Sequence, residues 1–220
     1  MKIIELFAFD LDGTLLDTAP DFHYAVNILR EKYKLDEADY NQVRSRVSQG
    51  AASLASYALN LDGGSQEKIE LHRHELLDIY ENCCLKNTEM FEGIEEVLSE
   101  LNNKQIKWGI VTNKPRRFAE GIVENKLGQF DVPFLICPDD VGTRKPEPEG
   151  LQKALKISNT SPEKSIYIGD HRIDITAGEK ANMNTGAAAY GYIPLEDNVD
   201  SWEADYIFNK AKEIIPLIEK

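Results

Sequence analysis

Two aspartates separated by one residue, Asp10 and Asp12, stand where the apolar run Leu6-Phe7-Ala8-Phe9 ends, and Gly13-Thr14 follows them. Such a run predicts a buried strand, and residues i and i+2 of an extended segment point to the same side. Both carboxylates can then converge on one reacting atom, because the glycine lets the chain turn sharply after them. A nucleophile and a general acid is the chemistry that two such acids offer. By themselves the five residues also fit a strand that ends in a solvated Asp-rich turn.

Other apolar runs end in polar groups too. Ile106 to Val111 leads into Thr112-Asn113, and Ser165-Ile166-Tyr167-Ile168 leads into Gly169-Asp170, with Asp174 four residues on. Lys145 lies in Thr143-Arg144-Lys145-Pro146-Glu147-Pro148, where two prolines stiffen the backbone. Each has a plain alternative: Thr112-Asn113 can cap a helix beginning near Pro115, Asp170 and Asp174 can be acids favoured at a helix start, and Lys145 can be a surface lysine.

The elements that must position these groups follow from hydrophobic period. After the first strand, four apolar stripes at helical spacing succeed one another without a strand: Phe22 to Tyr33, then Tyr40, Val43 and Val47, then Ala51 to Leu59, then Ile69 to Cys83. From about Met90 the pattern alternates helix and strand, with strands predicted at 106–111, 133–137, 165–168, 185–190 and 206–208 and a closing helix at Ala211, Ile214, Ile215 and Ile218. The expected fold class is α/β, a doubly wound, mostly parallel, Rossmann-like sheet. The expected domains are a core of 1–16 and 88–220 and an inserted four-helix cap of 17–87.

In open parallel sheets ligands bind at the carboxyl ends of the strands near the point where the winding reverses. That rule brings Asp10, Asp12, Thr112, Asn113, Lys145, Asp170 and Asp174 to one place. Acids crowded there repel one another by several kcal/mol at an intermediate dielectric, and a divalent cation relieves this. Hard oxygen ligands without His or Cys favour magnesium. Magnesium, a lysine, a hydroxyl and an amide form a phosphoryl-binding set, in which Asp10 attacks phosphorus and Asp12 shuttles the proton.

Composition limits the alternatives. With 42% hydrophobic and 29% charged residues in 220, the chain has the balance of a globular protein, and no apolar stretch approaches a membrane span. A cytoplasmic location is expected from a start without a signal-peptide apolar region. The net charge of −13 repels nucleic acid and anionic membranes, although pocket cations act at contact, inside a Debye length of about 8 Å. The expected partner is a small phosphorylated metabolite, with a monomer or weak homodimer as the state. Cys83, Cys84 and Cys137 form no C-x-x-C pair, Cys83 and Cys84 fall in the expected last turn of the fourth helix, and the His72/His74 spacing gives no metal site.

The ordered segments Phe9-Asp10-Leu11-Asp12-Gly13-Thr14, Val111-Thr112-Asn113, Lys145-Pro146-Glu147-Pro148 and Gly169-Asp170-x-x-x-Asp174 resemble the four motifs of the haloacid dehalogenase-like hydrolases, and the similarity covers essentially the whole chain. The helical insert resembles the family's type C1 cap, and Leu16 to Asp21 its hinge. The resemblance implies that Asp10 is nucleophile and magnesium ligand and that Asp12 is acid/base and gives a backbone carbonyl to the metal. It further implies that Thr112 and Asn113 hold the phosphoryl group, that Lys145 balances its charge, and that Asp170 and Asp174 hold magnesium. An acid at position 12 implies phosphatase chemistry, because the dehalogenase branch lacks it and the phosphonate-cleaving branch carries a small residue there.

Within the family the chain is similar to the phosphoglycolate phosphatase-type group. Arg44-x-x-Val47-Ser48-x-Gly50-Ala51 and Tyr190-Gly191-Tyr192-Ile193 are most like its N-acetylmuramic acid 6-phosphate phosphatases. Gly150 and Asn182 depart from the group's pattern. Substrate choice is expected in the cap, at Arg44, Ser48, Gln49 and Gly50, with Arg44 or Arg46 pairing a substrate carboxylate; a plain helix–helix turn with a solvated arginine is the other reading of that segment. A sugar-phosphate mutase of the β-phosphoglucomutase kind and a non-catalytic binding protein on the same fold are the alternative functions.

Overall fold

The computed structural model of the protein describes residues 3–219. The first strand, β1 (Leu6–Phe9), is fully buried, and the chain then turns through Gly13 into the two-residue strand β2 (Leu16–Asp17). Four helices come next: α1 (Ala19–Lys32), α2 (Tyr40–Arg44), α3 (Ala51–Ala58) and α4 (Gln66–Glu81). Strand β3 (Glu89–Met90) returns antiparallel beside β2. The remainder alternates as α5 (Ile94–Asn103), β4 (Lys107–Val111), α6 (Arg116–Leu127), β5 (Leu135–Ile136), α7 (Glu149–Ser158), β6 (Ser165–Gly169), α8 (Arg172–Lys180), β7 (Asn184–Ala188), β8 (Tyr206–Phe208) and α9 (Ile215–Ile218).

Six strands form one sheet in the order β5-β4-β1-β6-β7-β8, with every pairing parallel. The winding runs outward from β1 through β4 to β5 and then crosses to β6 on the other side. The carboxyl ends of β1, β4 and β6 therefore flank the reversal.

Side chains alternate across this sheet as the two-residue period demands. Phe7, Phe9, Trp108, Ile110, Ile166 and Ile168 pack with α5, α6 and the C-terminal turns, while Ala8, Val111 and Tyr167 face α7 and α8. The two departures noted in the sequence have packing or backbone reasons. A Cβ on Gly150 would stand 2.9 Å from Val111 Cγ1, and Asn182 holds the left-handed conformation (φ 57°) that otherwise favours glycine just past α8.

Some expectations shift. Val47 lies outside α2, in a 3₁₀ turn of residues 47–49, because the amides of Arg46, Gln49 and Gly50 bond three residues back. Cys83 and Cys84 fall just past α4. The closing helix is a 3₁₀ turn over 211–214 followed by one α-turn carrying Pro216, which donates no N–H.

The insert has its own apolar core, built from Val26, Leu29, Leu54, Leu76 and Tyr80 among others. Both of its connections to the sheet are fastened. At the N-terminus of α1, fully buried Asp21 accepts from the Asn87 amide (2.8 Å), Asn87 Nδ2 (3.0 Å), the Thr88 amide (3.1 Å) and Thr88 Oγ1 (2.7 Å). Four donors satisfy a carboxylate that would otherwise be costly to bury.

Candidate active site

Asp10, Asp170 and Asp174 are all buried, and each offers a carboxylate oxygen within 4.8 Å of the others; they are the one such acid group among the described residues. Three glycines make this density possible. A Cβ on Gly13 would lie 2.1 Å from Asp170 Oδ2, one on Gly169 would lie 2.4 Å from Asp174 Cγ, and one on Gly191 would lie 2.3 Å from Asp170 Cβ. The Gly13-Thr14 turn thus wraps directly over the acid at the end of β6, and Thr14 Oγ1 donates to Asp170 Oδ1 at 3.1 Å.

Lys145 supplies the counter-charge. Its Nζ lies 3.0 Å from Asp10 Oδ1, 2.7 Å from Asp174 Oδ1 and 2.7 Å from the Tyr167 hydroxyl. Burial alone would lower its pKa, yet the pull of Asp10 and Asp174 outweighs this and raises it. The Tyr167 hydroxyl in turn donates a hydrogen bond to Val111 O at 2.7 Å. A tyrosine inside an otherwise aliphatic buried strand was the available signal for this contact.

Among the described residues Asp170 has only neutral donors: Thr14, Ser48 Oγ at 2.8 Å and the Tyr192 amide at 3.0 Å. Burial, then the fields of Asp10 and Asp174, push its carboxyl up to about 8; burial pushes Asp10 to about 6 against the opposing field of Lys145. Three carboxylates facing one ammonium leave an excess of negative charge on an all-oxygen donor set, which fits a hard divalent cation. Asp174 also caps α8 by accepting from the His171 amide at 3.0 Å, so its plain role as a helix-start acid coexists with its place in the cluster.

The Asp12 carboxylate stands apart from this trio. Its Oδ1 accepts from Thr18 Oγ1 (2.6 Å) and Lys114 Nζ (2.9 Å). Asp10 Oδ1 likewise takes the Leu11 amide (2.7 Å) as well as Lys145. Among the described residues no hydrogen-bond donor reaches Oδ2 of either aspartate, and both residues line one cavity of about 590 Å³.

The cavity runs between the sheet ends and the insert. Thr112, Asn113, Lys145, Ser48, Gln49 and Gly50 all line it. Asn113 nevertheless uses its side-chain amide on the Lys145 main chain, with Oδ1 accepting from the amide at 2.8 Å and Nδ2 donating to the carbonyl at 3.1 Å. Its side chain positions the lysine loop instead of reaching freely into the cavity. Thr112 Oγ1 accepts from the Lys114 amide at 3.1 Å and does not cap α6, whose N-cap is Pro115.

Arg44 takes a different direction from the one its spacing suggests. It donates to Tyr190 O at 3.1 Å and stacks 5.0 Å from the Tyr192 ring centroid, so it is not among the residues lining the cavity. Arg46 stacks over Tyr57. The guanidinium groups that do line the cavity are Arg73, held by Glu70 at 2.7 Å and 2.5 Å, and Arg144.

The profile of the haloacid dehalogenase-like hydrolases matches residues 7–188. The chain belongs to that family. It is 40% identical to the N-acetylmuramic acid 6-phosphate phosphatase of Pseudomonas aeruginosa, over 100% of this chain and 98% of that protein. It is 33% identical to a phosphoglycolate phosphatase of Xanthomonas campestris pv. campestris, over 97% and 96% of the two chains. The fold superposes on a haloacid dehalogenase-like family protein of Streptococcus pneumoniae with a TM-score of 0.80 at 22% identity, covering 97% of each chain. Among the described residues no helix is long and apolar enough to cross a membrane.

Proposed function

We propose that the protein is a magnesium-dependent phosphomonoesterase working through an aspartyl phosphate on Asp10, with N-acetylmuramic acid 6-phosphate as its substrate. The observation that carries the chemistry is the placement of the Lys145 ammonium between Asp10 and Asp174 beside the uncompensated Asp170. On this reading residues 1–16 and 88–220 form the catalytic core and 17–87 the cap.

The free Oδ2 of Asp10 attacks phosphorus, and the bond from phosphorus to the ester oxygen breaks. Asp12 gives its proton to the departing alkoxide, which leaves as the alcohol. Asp12, now a carboxylate, takes a proton from the water that attacks phosphorus, so inorganic phosphate is released and the Asp10 carboxylate is restored. Asp10, Asp170 and Asp174, with the Asp12 carbonyl, would hold magnesium, which supplies charge neutralisation for the phosphoryl oxygens when bound. Lys145 and the Thr112 hydroxyl bind that group, while Asn113 holds the Lys145 loop in place.

Substrate identity rests on the relatives and on the cavity. Both N-acetylmuramic acid 6-phosphate and phosphoglycolate carry a carboxylate, and Arg73 and Arg144 are the cavity cations available to it. Ser48, Gln49 and Gly50 contribute the cap loop, and the walls include Phe22, Leu77, Tyr80 and Phe118, an apolar surface with more extent than a two-carbon acid needs. The test is phosphate release with magnesium across N-acetylmuramic acid 6-phosphate, N-acetylglucosamine 6-phosphate, glucose 6-phosphate and phosphoglycolate. The highest kcat/KM is expected on the muramic ester. A preference for phosphoglycolate overturns the substrate assignment, and isomerisation without phosphate release overturns the phosphatase.

A further inference from the structure

Lys114 is a buried cation to which the phosphoryl chemistry above gives no task. Its Nζ donates to Asp12 Oδ1 at 2.9 Å and to the Tyr80 hydroxyl at 3.0 Å. It also lies 5.0 Å from the Phe22 ring centroid and 4.8 Å from that of Tyr80, two rings that stack on each other at 3.9 Å. Asp12 belongs to the sheet side, Phe22 to α1 and Tyr80 to α4, so one ammonium joins the catalytic loop to two helices of the cap.

The consequence concerns which oxygen of Asp12 can work. Thr18 and Lys114 together occupy Oδ1, and no protein donor among the described residues reaches Oδ2. A carboxylate pinned at one oxygen by two donors from different directions has its plane and its other oxygen fixed. We infer that Lys114 is a positioning residue for Asp12, aiming Oδ2 at the ester oxygen. Because its remaining partners are aromatic groups of the cap, that aim is complete only with the cap docked on the core.

The inference rests on the reading of Asp12 as acid/base, and the experiment separates the two. kcat/KM reports the phosphoryl transfer to Asp10, and protonation of the departing oxygen matters there for an alkyl ester but little for p-nitrophenyl phosphate, whose phenolate leaves without a proton. Lys114→Met is expected to lose about 100-fold in kcat/KM on a sugar 6-phosphate and under about five-fold on p-nitrophenyl phosphate. Lys114→Arg should recover part of the alkyl-ester loss. Tyr80→Phe keeps the ring and removes the acceptor, so it should show the same selective pattern at smaller size, and it serves if Lys114→Met does not fold. Equal losses on both esters in the folded variants, or no loss, overturn the inference. Asp12→Asn run in parallel must show the selective loss; if it does not, the acid/base reading fails instead.

Discussion

Ser48 Oγ donates to Asp170 Oδ2 at 2.8 Å, linking the loop ahead of α3 to an acid at the end of β6, 122 residues away in sequence. This bond makes the docking of the helical insert and the state of the acid cluster parts of one arrangement. A hydrogen bond to a charged group is worth about 1.5–3 kcal/mol. Ser48→Ala should therefore lower kcat/KM on the preferred sugar phosphate by about ten-fold in steady-state assays. A change smaller than about two-fold would separate the contact from turnover.

The Asp21 carboxylate gives a stability prediction. Asp21→Ala leaves the amide and hydroxyl of buried Thr88 without their acceptor and also releases the amide of exposed Asn87. The cost should be about 3 kcal/mol in urea unfolding, with Asp21→Asn intermediate because it keeps one acceptor oxygen. An unchanged midpoint for the alanine variant would contradict the buried network.

The acid cluster gives a pH dependence with a defined sign. In the cation-free protein Asp170 is pushed from 3.8 to about 8 and Asp10 from 3.8 to about 6. Between the unfolded and folded values the folded chain binds more protons, so its stability falls as pH rises through that window and is lowest above it. Magnesium takes the place of the proton, so its stabilising effect must grow with pH. Thermal scans with magnesium against chelator should show a larger rise in Tm at about pH 8.5 than at about pH 5.5. A rise that is independent of pH, or larger in acid, would contradict the assignment.

Gly13 tests how tightly the cluster is built. An alanine there carries a Cβ 2.1 Å from Asp170 Oδ2 and keeps a φ of +80°. The left-handed backbone adds about 1–2 kcal/mol, and displacing Asp170 by about 1 Å is of the size that costs 100-fold in rate. Loss of about 100-fold in kcat with weakened magnesium dependence is the expected outcome. Full activity in Gly13→Ala would mean that Asp170 does not need its present position.

The parallel sheet was legible because Leu6–Phe9 and Ser165–Gly169 are buried on both faces, and such strands read as continuous apolar runs with polar residues at their ends. The strand-end rule then gathered Asp10, Asp170 and Asp174 without any contact being known. The β2/β3 ladder was not legible, because two residues per strand are too few to show a period. Nor were the directions of side chains in the insert. Spacing places Arg44 near the ligand, but only tertiary packing turns its guanidinium onto Tyr192 and leaves the cavity to Arg73 and Arg144. Lys114, next to Thr112-Asn113, was not legible as a site residue, because a single lysine carries no periodicity that would say it is buried.

In the proposed reaction Asp10 becomes covalently phosphorylated. Rapid acid quench after mixing the protein with magnesium and a phosphomonoester labelled with radioactive phosphate tests this directly. Protein-bound label is expected that survives acid, is released by hydroxylamine as an acyl phosphate would be, maps to the peptide carrying Asp10, and is absent in Asp10→Asn. Phosphate release by the unmodified chain with no label at Asp10, or equal labelling of the Asp10→Asn variant, would contradict it.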